Sequence, residues 1–330
     1  MTDGQMLPVA LDAMGGDRAP AAIVAGARDA VDEYGIEVVL VGPPELVGDT
    51  MGLELVACTE VITMDDDPAQ SVRRKKDSSL VRCAELVRDR KACAAVSAGN
   101  TGAAMAAALL RMGRLKGVSR PCIATPLPRP GSTPVLLCDA GANAECTTDM
   151  LVQFAQMASA HATSRFGVGH PLIGLLSIGE EKSKGTPLVK ETHERLADAS
   201  SGVAFFGNVE GRDLIGAPVD VIVTDGFTGN VALKTLEGAL RFMFSTITSV
   251  IGTNDETRAA GAVLLAHLGP IAAELDPDSH GGAILLGVDG VCVISHGSSS
   301  QRAIKNAVHV AHDLAASGTV AALQAAITAS

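Results

Sequence analysis

Three short apolar runs in this chain break into loops of small polar residues and then into helix-forming sequence. Val9-Ala10-Leu11 leads into Asp12-Ala13-Met14-Gly15-Gly16-Asp17, and Ala94-Ala95-Val96 into Ser97-Ala98-Gly99-Asn100-Thr101-Gly102. Val219 to Val223 leads into Thr224-Asp225-Gly226-Phe227-Thr228-Gly229-Asn230. Small residues at the carboxyl end of a buried strand leave backbone N–H groups free, and the helix N-terminus beyond them attracts negative charge. The chemistry this suits is the holding of an anion, phosphate above all. Repetition of the pattern, twice with a closely spaced Asn and Thr, reads as one phosphate-handling cleft. Two further polar loops follow apolar strands: Gly179 to Gly185, which contains Lys184, and Asn208-Val209-Glu210-Gly211-Arg212-Asp213. Loops at the carboxyl edge of an α/β sheet gather sites, so Lys184 is a candidate cation for that cleft. An ordinary surface lysine is the alternative reading. Asp225 and Asn230 read equally well as turn formers and helix caps.

Ala95-Val96-Ser97-Ala98-Gly99 is close to a nucleophile elbow, with Ala in place of the first Gly. A serine esterase built on Ser97 would draw on an acid and a His downstream, and His296 is available. Gly99-Asn100-Thr101-Gly102 adds polar groups that an elbow does not require, which favours Ser97 as a loop or ligand-binding residue. The run Arg73-Arg74-Lys75-Lys76 precedes Asp77-Ser78-Ser79, a helix N-cap region. Cations just before a helix N-terminus oppose its dipole, so a structural purpose is doubtful there. The run reads as a solvated face or as a site for an anionic ligand or acidic partner.

Other chemistries lack their motifs. There is no G-x-x-x-x-G-K-[ST] for a P-loop, no G-x-G-x-x-G after the first strand, and no H-E-x-x-H or compact metal-ligand cluster. No cofactor or metal is expected. A metal-dependent hydroxyacid dehydrogenase would need a nicotinamide site and a carboxylate cluster that these residues do not assemble.

The elements that must position these loops follow from the apolar pattern. Apolar residues make up 47% of the 330, with no Trp and one Tyr, so Ala, Val, Leu and Ile must build the core. Short β-branched runs alternate with longer helical stretches, which predicts a three-layer α/β/α sandwich on a mostly parallel sheet. Strands are expected at Val38–Val41, Val61–Thr63, Val135–Cys138, Leu172–Leu176, Val203–Phe206, Val219–Val223 and Val291–Ile294. Helices are expected at Ala19–Tyr34, Ser79–Lys91, Gly102–Met112, Asp149–Thr163, Pro187–Asp198, Asn230–Ile251, Asp255–Leu275 and Ser300–Ala316. Pro121–Pro134 reads as an extended connection with edge pairing, and residues 1–330 as a single domain. Net charge is −11 and aromatics are scarce, which argues against a nucleic-acid partner. The seven Cys form no C-x-x-C pair, the start lacks a signal peptide's pattern, and no apolar run spans a bilayer. A cytoplasmic protein is expected.

The stretch from about 230 to 275 departs from the alternation. It reads as a protruding helical hairpin turning near Gly252-Thr253-Asn254, with Asn254 or Asp255 as the second N-cap. Ile247, Val250, Ile251, Val263, Leu264 and Leu265 crowd the turn. They suit a dimerisation surface or one that touches lipid.

Taken in order, Asp12 to Asp17, Arg73 to Ser79, Ser97 to Gly102 and Asn208 to Asp213 form a recognisable series. Thr224 to Asn230 with Leu233-Lys234-Thr235-Leu236-Glu237-Gly238, and His296-Gly297-Ser298-Ser299, complete it. The series resembles the bacterial phosphate acyltransferase (PlsX) family over nearly the whole chain. That resemblance implies a fold related to phosphotransacetylases and isocitrate/isopropylmalate dehydrogenases. It also implies transfer of an acyl group from acyl-acyl carrier protein to inorganic phosphate, by a homodimer at the start of phospholipid synthesis, upstream of a glycerol-3-phosphate acyltransferase. Lys184, Asp225 and Asn230 match the family's catalytic cluster. Asp12, Gly15, Gly16, Ser97, Gly99, Asn100, Thr101, Gly102, Asn208, Thr228, His296 and Ser298 are expected around phosphate or acyl phosphate. Arg73, Arg74, Lys75 and Lys76 would dock the acidic carrier protein. The hairpin tip would rest on the inner face of the cell membrane. A non-catalytic protein that binds acyl carrier protein is the remaining alternative. Departures from the family pattern are local: the looser Glu180-Glu181-Lys182-Ser183, Gly211 where Ala is commoner, and Cys146-Thr147-Thr148 after Gly141-Ala142-Asn143.

Overall fold

The computed structural model of the chain describes residues 6–216 and 218–328. In chain order the first half contains β1 (Val9–Asp12), α1 (Ala21–Tyr34), β2 (Val38–Gly42), α2 (Pro44–Val47), β3 (Glu54–Ala57), α3 (Pro68–Arg74), α4 (Ser79–Arg88), β4 (Ala94–Ser97) and α5 (Thr101–Arg111). The middle contains β5 (Cys122–Leu127), β6 (Val135–Cys138), α6 (Thr148–Phe166), β7 (Leu172–Leu176), α7 (Pro187–Ala197), β8 (Ala204–Val209) and β9 (Val221–Val223). Then come α8 (Gly226–Ile251), α9 (Asp255–Leu275), β10 (Ala283–Leu286), β11 (Val291–Ile294), α10 (Gln301–Ala316) and α11 (Thr319–Thr328).

Among the described residues, eleven strands form one sheet in the order β3-β2-β1-β4-β11-β10-β5-β6-β9-β7-β8. The two flanks are parallel, but β10 runs antiparallel to β11 and to β5, and β5 antiparallel to β6. The halves therefore point in opposite directions. The carboxyl ends of β1, β4 and β11 lie at one edge, and those of β6, β9, β7 and β8 at the other. Residues alternate between two apolar layers along each strand. Val9, Leu11, Val96 and Val223 meet Ile23, Phe154, Met157, Ile304 and Leu314 on one face. Ala10, Ala95, Leu137 and Ile222 meet Val72, Val81, Ala84, Ala104 and Ala107 on the other. The arrangement is the expected α/β/α sandwich.

Several local expectations need correction. Cys122–Leu127 is a central strand, not an edge connection. Pro126 is tolerated there because pairing with β10 ends at Ala124, so no partner waits for its missing N–H. Val61–Thr63 is not a strand, and only an isolated bridge from Glu60 to Ser78 forms beside it. Arg73 and Arg74 do not simply precede a helix. They occupy the last turn of α3, where cations favour the dipole. Helix α8 begins at Gly226, capped by Asp225, so Asn230 lies one turn inside it. Asn254 is the N-cap of α9, in a capping box with Thr257. Around the turn between α8 and α9, Ile247, Val250, Val263, Leu264 and Leu265 are exposed, while Ile251 packs on Gly261. Among the described residues, no helix is long and apolar enough to cross a membrane.

Candidate active site

At the carboxyl end of β1, Asp12 is buried and accepts the Ser97 hydroxyl at 2.7 Å and the Met14 N–H at 3.1 Å. Burial pushes its carboxyl pKa up, against hydrogen bonds from Ser79 and Ser97 that pull it down. Gly99 N–H in turn donates to Ser97 Oγ at 3.0 Å. Gly15 closes over this knot so tightly that a Cβ there would stand 2.9 Å from both Asp12 Oδ2 and Ser97 Oγ. Gly16 beside it takes a φ of +104°. Ser97 is therefore a buried anchor that ties β4 to β1. Asn100 caps α5 by accepting from Ala103 N–H, while its amide donates to the carbonyls of Met64 and Asp66. Gly102 packs on Pro68 of α3. Asp17 N–H donates to Gly297 O at 2.8 Å, linking this loop to the one after β11. There His296 Nδ1 pairs with the Ser298 hydroxyl at 2.9 Å, not with Ser97.

The other edge has its own anchor, which the sequence did not reveal. Asp139, fully buried after β6, accepts N–H groups from Ile123, Gly141, Ala142 and Asn143 and the Asn143 amide, all within 3.2 Å. Burial raises its pKa, and those donors oppose the rise. The loop it holds presents Ala140 O, which accepts from Asn230 Nδ2 at 3.2 Å. Asp225 spends one oxygen on Thr228 N–H and the other on the Thr228 hydroxyl, both at 2.8 Å. Asn208 is 2% exposed; its amide donates to Glu181 O at 3.0 Å and its Oδ1 pairs with His193 Nδ1 at 2.9 Å. It thus pins the loop that carries Lys184. Lys184 itself is exposed.

A cleft of about 710 Å³ crosses the sheet face between these two sets of loops. Ile123, Thr125 and Leu127 of β5 form its floor, and Leu233, Leu236, Leu240 and Phe244 of α8 form an apolar wall completed by Ala272 and Leu275 of α9. The facing wall is polar, with Asp17, Thr101, His296 and Ser298. The structure thus brings Thr101, His296 and Ser298 to the same cleft as Asn230 and Lys234. It does not bring Lys184, Asp225, Thr228 or Asn208 into that lining. Asp12, Gly15, Ser97 and Gly99 are buried and are likewise absent from that lining. Of the basic run, Lys75 is committed to Asp66 at 2.5 Å and Val61 O at 2.9 Å, whereas Arg73, Arg74 and Lys76 are exposed. Among the described residues, no group of three or more His, Cys, Asp or Glu is placed to hold a metal ion.

Known proteins share this architecture. A phosphotransacetylase from Streptococcus pyogenes superposes with a TM-score of 0.62 at 18% identity, covering 95% of each chain. The 4-hydroxythreonine-4-phosphate dehydrogenase of Klebsiella pneumoniae gives 0.56 at 12% identity, over 94% of this chain and all of that one. These establish likeness of fold. In sequence, the phosphate acyltransferase of Elusimicrobium minutum is 47% identical over 321 residues, spanning 94% of this chain and 93% of that protein. The model for the fatty acid synthesis protein family matches residues 7–322. With that identity over nearly the full length of both proteins, the chain belongs to the phosphate acyltransferase family of fatty acid synthesis proteins.

Proposed function

We propose that this acyltransferase moves a fatty acyl group from acyl-acyl carrier protein to inorganic phosphate, which attacks the thioester directly to give acyl phosphate. The supporting observation is the cleft, which sets an apolar wall of α8 and β5 against a polar wall at the N-termini of α5 and α10. One side suits an alkyl chain and the other a phosphate. Phosphate dianion is a competent nucleophile and a thiolate a good leaving group. The site then needs in-line placement and stabilisation of the developing oxyanion. In this reading Asn230 Nδ2 donates to that oxyanion, and Thr101, His296 and Ser298 face the phosphate. Losing one such donor costs about 100- to 1,000-fold in turnover, so Asn230→Ala should fall by that factor. Turnover within threefold of wild type, followed as phosphate-dependent thiol release and hydroxylamine-trapped acyl phosphate, would refute the assignment.

Lys184 and Asp225 lie outside the cleft lining of their own chain. In this reading the protein is a homodimer, and a second copy presents the Lys184 loop to the phosphate. Asp225 acts by holding the α8 N-terminus in place. Arg73, Arg74 and Lys76 flank the polar wall, because α3 packs on α5 through Pro68 and Gly102. They form the docking patch for the acidic carrier protein. The apolar turn between α8 and α9 supplies a peripheral contact with the inner face of the membrane, where a glycerol-3-phosphate acyltransferase would take the product. A serine esterase is disfavoured by the burial of Ser97 and the pairing of His296 with Ser298.

A further inference from the structure

On one face of α8, Leu233, Leu236, Leu240 and Phe244 follow Asn230 at spacings of three or four residues. All four are half-buried and line the cleft, which Lys234, Glu237 and Arg241 border alongside them, whereas Met243 is exposed outside it. Residues so spaced form one stripe along a helix. The stripe starts beside the amide that the acyl-transfer reading assigns to the thioester carbonyl. The fourteen residue steps from Asn230 to Phe244 rise about 21 Å at 1.5 Å per residue. An extended alkyl chain of ~1.5 Å bonds at tetrahedral angles advances about 1.25 Å per carbon, so that span matches roughly sixteen carbons.

Resting on that reading, we propose that α8 measures the acyl chain and that Phe244 is the specificity-determining residue at the far end of the measure. The large Phe244 ring is where the apolar wall of the cleft on α8 ends; beyond it on the same helix, Ile247 is 36% exposed and Val250 60% exposed. A chain that stops at the ring keeps every methylene against Leu233, Leu236, Leu240 and the β5 floor. A longer chain has to displace the ring or run on into solvent. Each methylene that loses its burial weakens binding by about fourfold. Leu240 stands one turn nearer the reacting end, about 15 Å from Asn230 along the axis, which corresponds to roughly twelve carbons.

The test is the chain-length profile of kcat/KM with acyl thioesters of eight to eighteen carbons and inorganic phosphate, trapping acyl phosphate with hydroxylamine. Leu240→Trp fills the cleft one turn early. It should cut the sixteen-carbon substrate on the order of a hundredfold relative to the twelve-carbon one, moving the optimum of the profile to twelve carbons or fewer. Phe244→Ala removes the stop and should raise the eighteen-carbon substrate relative to the sixteen-carbon one. Because it only shortens a half-buried side chain at the cleft end, it serves as the second variant should the Trp variant misfold. A profile unchanged in both folded variants, with acyl phosphate still formed, overturns the ruler and leaves the acyl-transfer reading standing. Thiol release without acyl phosphate in the wild type, at every length, overturns the reading and the ruler together.

Discussion

Gly229 is the position at which a single methyl group should separate catalysis from stability. It lies in the first turn of α8, immediately before Asn230, and a Cβ there would stand 2.0 Å from Asp139 O and 3.0 Å from its carbonyl carbon. Both neighbours are backbone held by a strand end, so neither can swing away as a side-chain tip would. Carbon and oxygen approach no closer than about 3.3 Å without strain, so the start of α8 must retreat by roughly an ångström. Asn230 retreats with it, and its 3.2 Å bond to Ala140 O passes out of range. A displacement of about 1 Å in a positioned group typically costs on the order of a hundredfold in rate. Overpacking costs about 1–3 kcal/mol, while Ala in place of Gly returns roughly 1 kcal/mol of helix propensity. Gly229→Ala should therefore lose about a hundredfold in turnover for a net destabilisation of only ~0–2 kcal/mol. Gly238→Ala is the internal control, on the same helix with no atom within 4 Å of the added Cβ. It should be as active as wild type and up to ~1 kcal/mol more stable. Calorimetric unfolding and the acyl phosphate assay on both variants decide the matter. Wild-type turnover in Gly229→Ala would show that Asn230 does not depend on this contact.

The remaining predictions are independent of that one. If a second copy supplies Lys184, inactive Lys184→Ala and Asn230→Ala chains unfolded and refolded together should recover about a quarter of wild-type activity, since half of randomly paired dimers would hold one intact site; no recovery refutes the shared site. Burial, helped by nearby Arg165, lowers the His161 pKa to about 3, below the ordinary value near 6.5. Its folded pKa being depressed, stability present above pH 6.5 is lost as pH falls toward 3, at about 1.4 kcal/mol per unit. His161→Leu should flatten urea-unfolding stability between pH 7 and 5 by ~2 kcal/mol, and curves parallel to wild type would contradict this. Arg73→Glu with Arg74→Glu should raise KM for acyl carrier protein several-fold at low salt and little at high salt; an unchanged KM removes the docking patch. Leu264→Glu should reduce co-flotation with anionic lipid vesicles without altering turnover on soluble substrate, and undiminished flotation would take lipid contact away from the hairpin turn.

The strands that the sequence marks to the residue are those buried on both faces and bounded by turn formers. Val135–Cys138, Leu172–Leu176 and Val291–Ile294 are of this kind. Strand direction and partner choice left no such local mark. Nothing in Ala283–Leu286 announces that it reverses the sheet, and two adjoining glycines on one side and one on the other disguise it as a turn. The reversal matters for the site. Loops that look alike in sequence, at Ser97 and at Asp225, lie at opposite edges of the sheet, and the cleft lies between them. Helix α3 carries a legible start, with Asp67 accepting from Gln70 N–H and Pro68 at the first helical position. Asp139 was not, because its role depends on five donors gathered by a loop, and an isolated Asp after a strand advertises nothing of that.

The place of β11 in the sheet has a consequence for how the chain must fold. Val291–Ile294 pairs with Ala94–Ser97, and β10 beside it pairs with residues 122–124 of β5, so the last two strands fill a gap bordered by strands made far earlier. Closing such a gap requires contacts between distant parts of the chain, which slows folding. During synthesis both β4 and β5 wait as unpaired edges, open to pairing with another chain. A nascent chain halted before Ala283 would present two open edges at the middle of the sheet. Chaperone dependence and aggregation of truncated chains should accordingly rise for stops placed before β11 and drop once it has emerged.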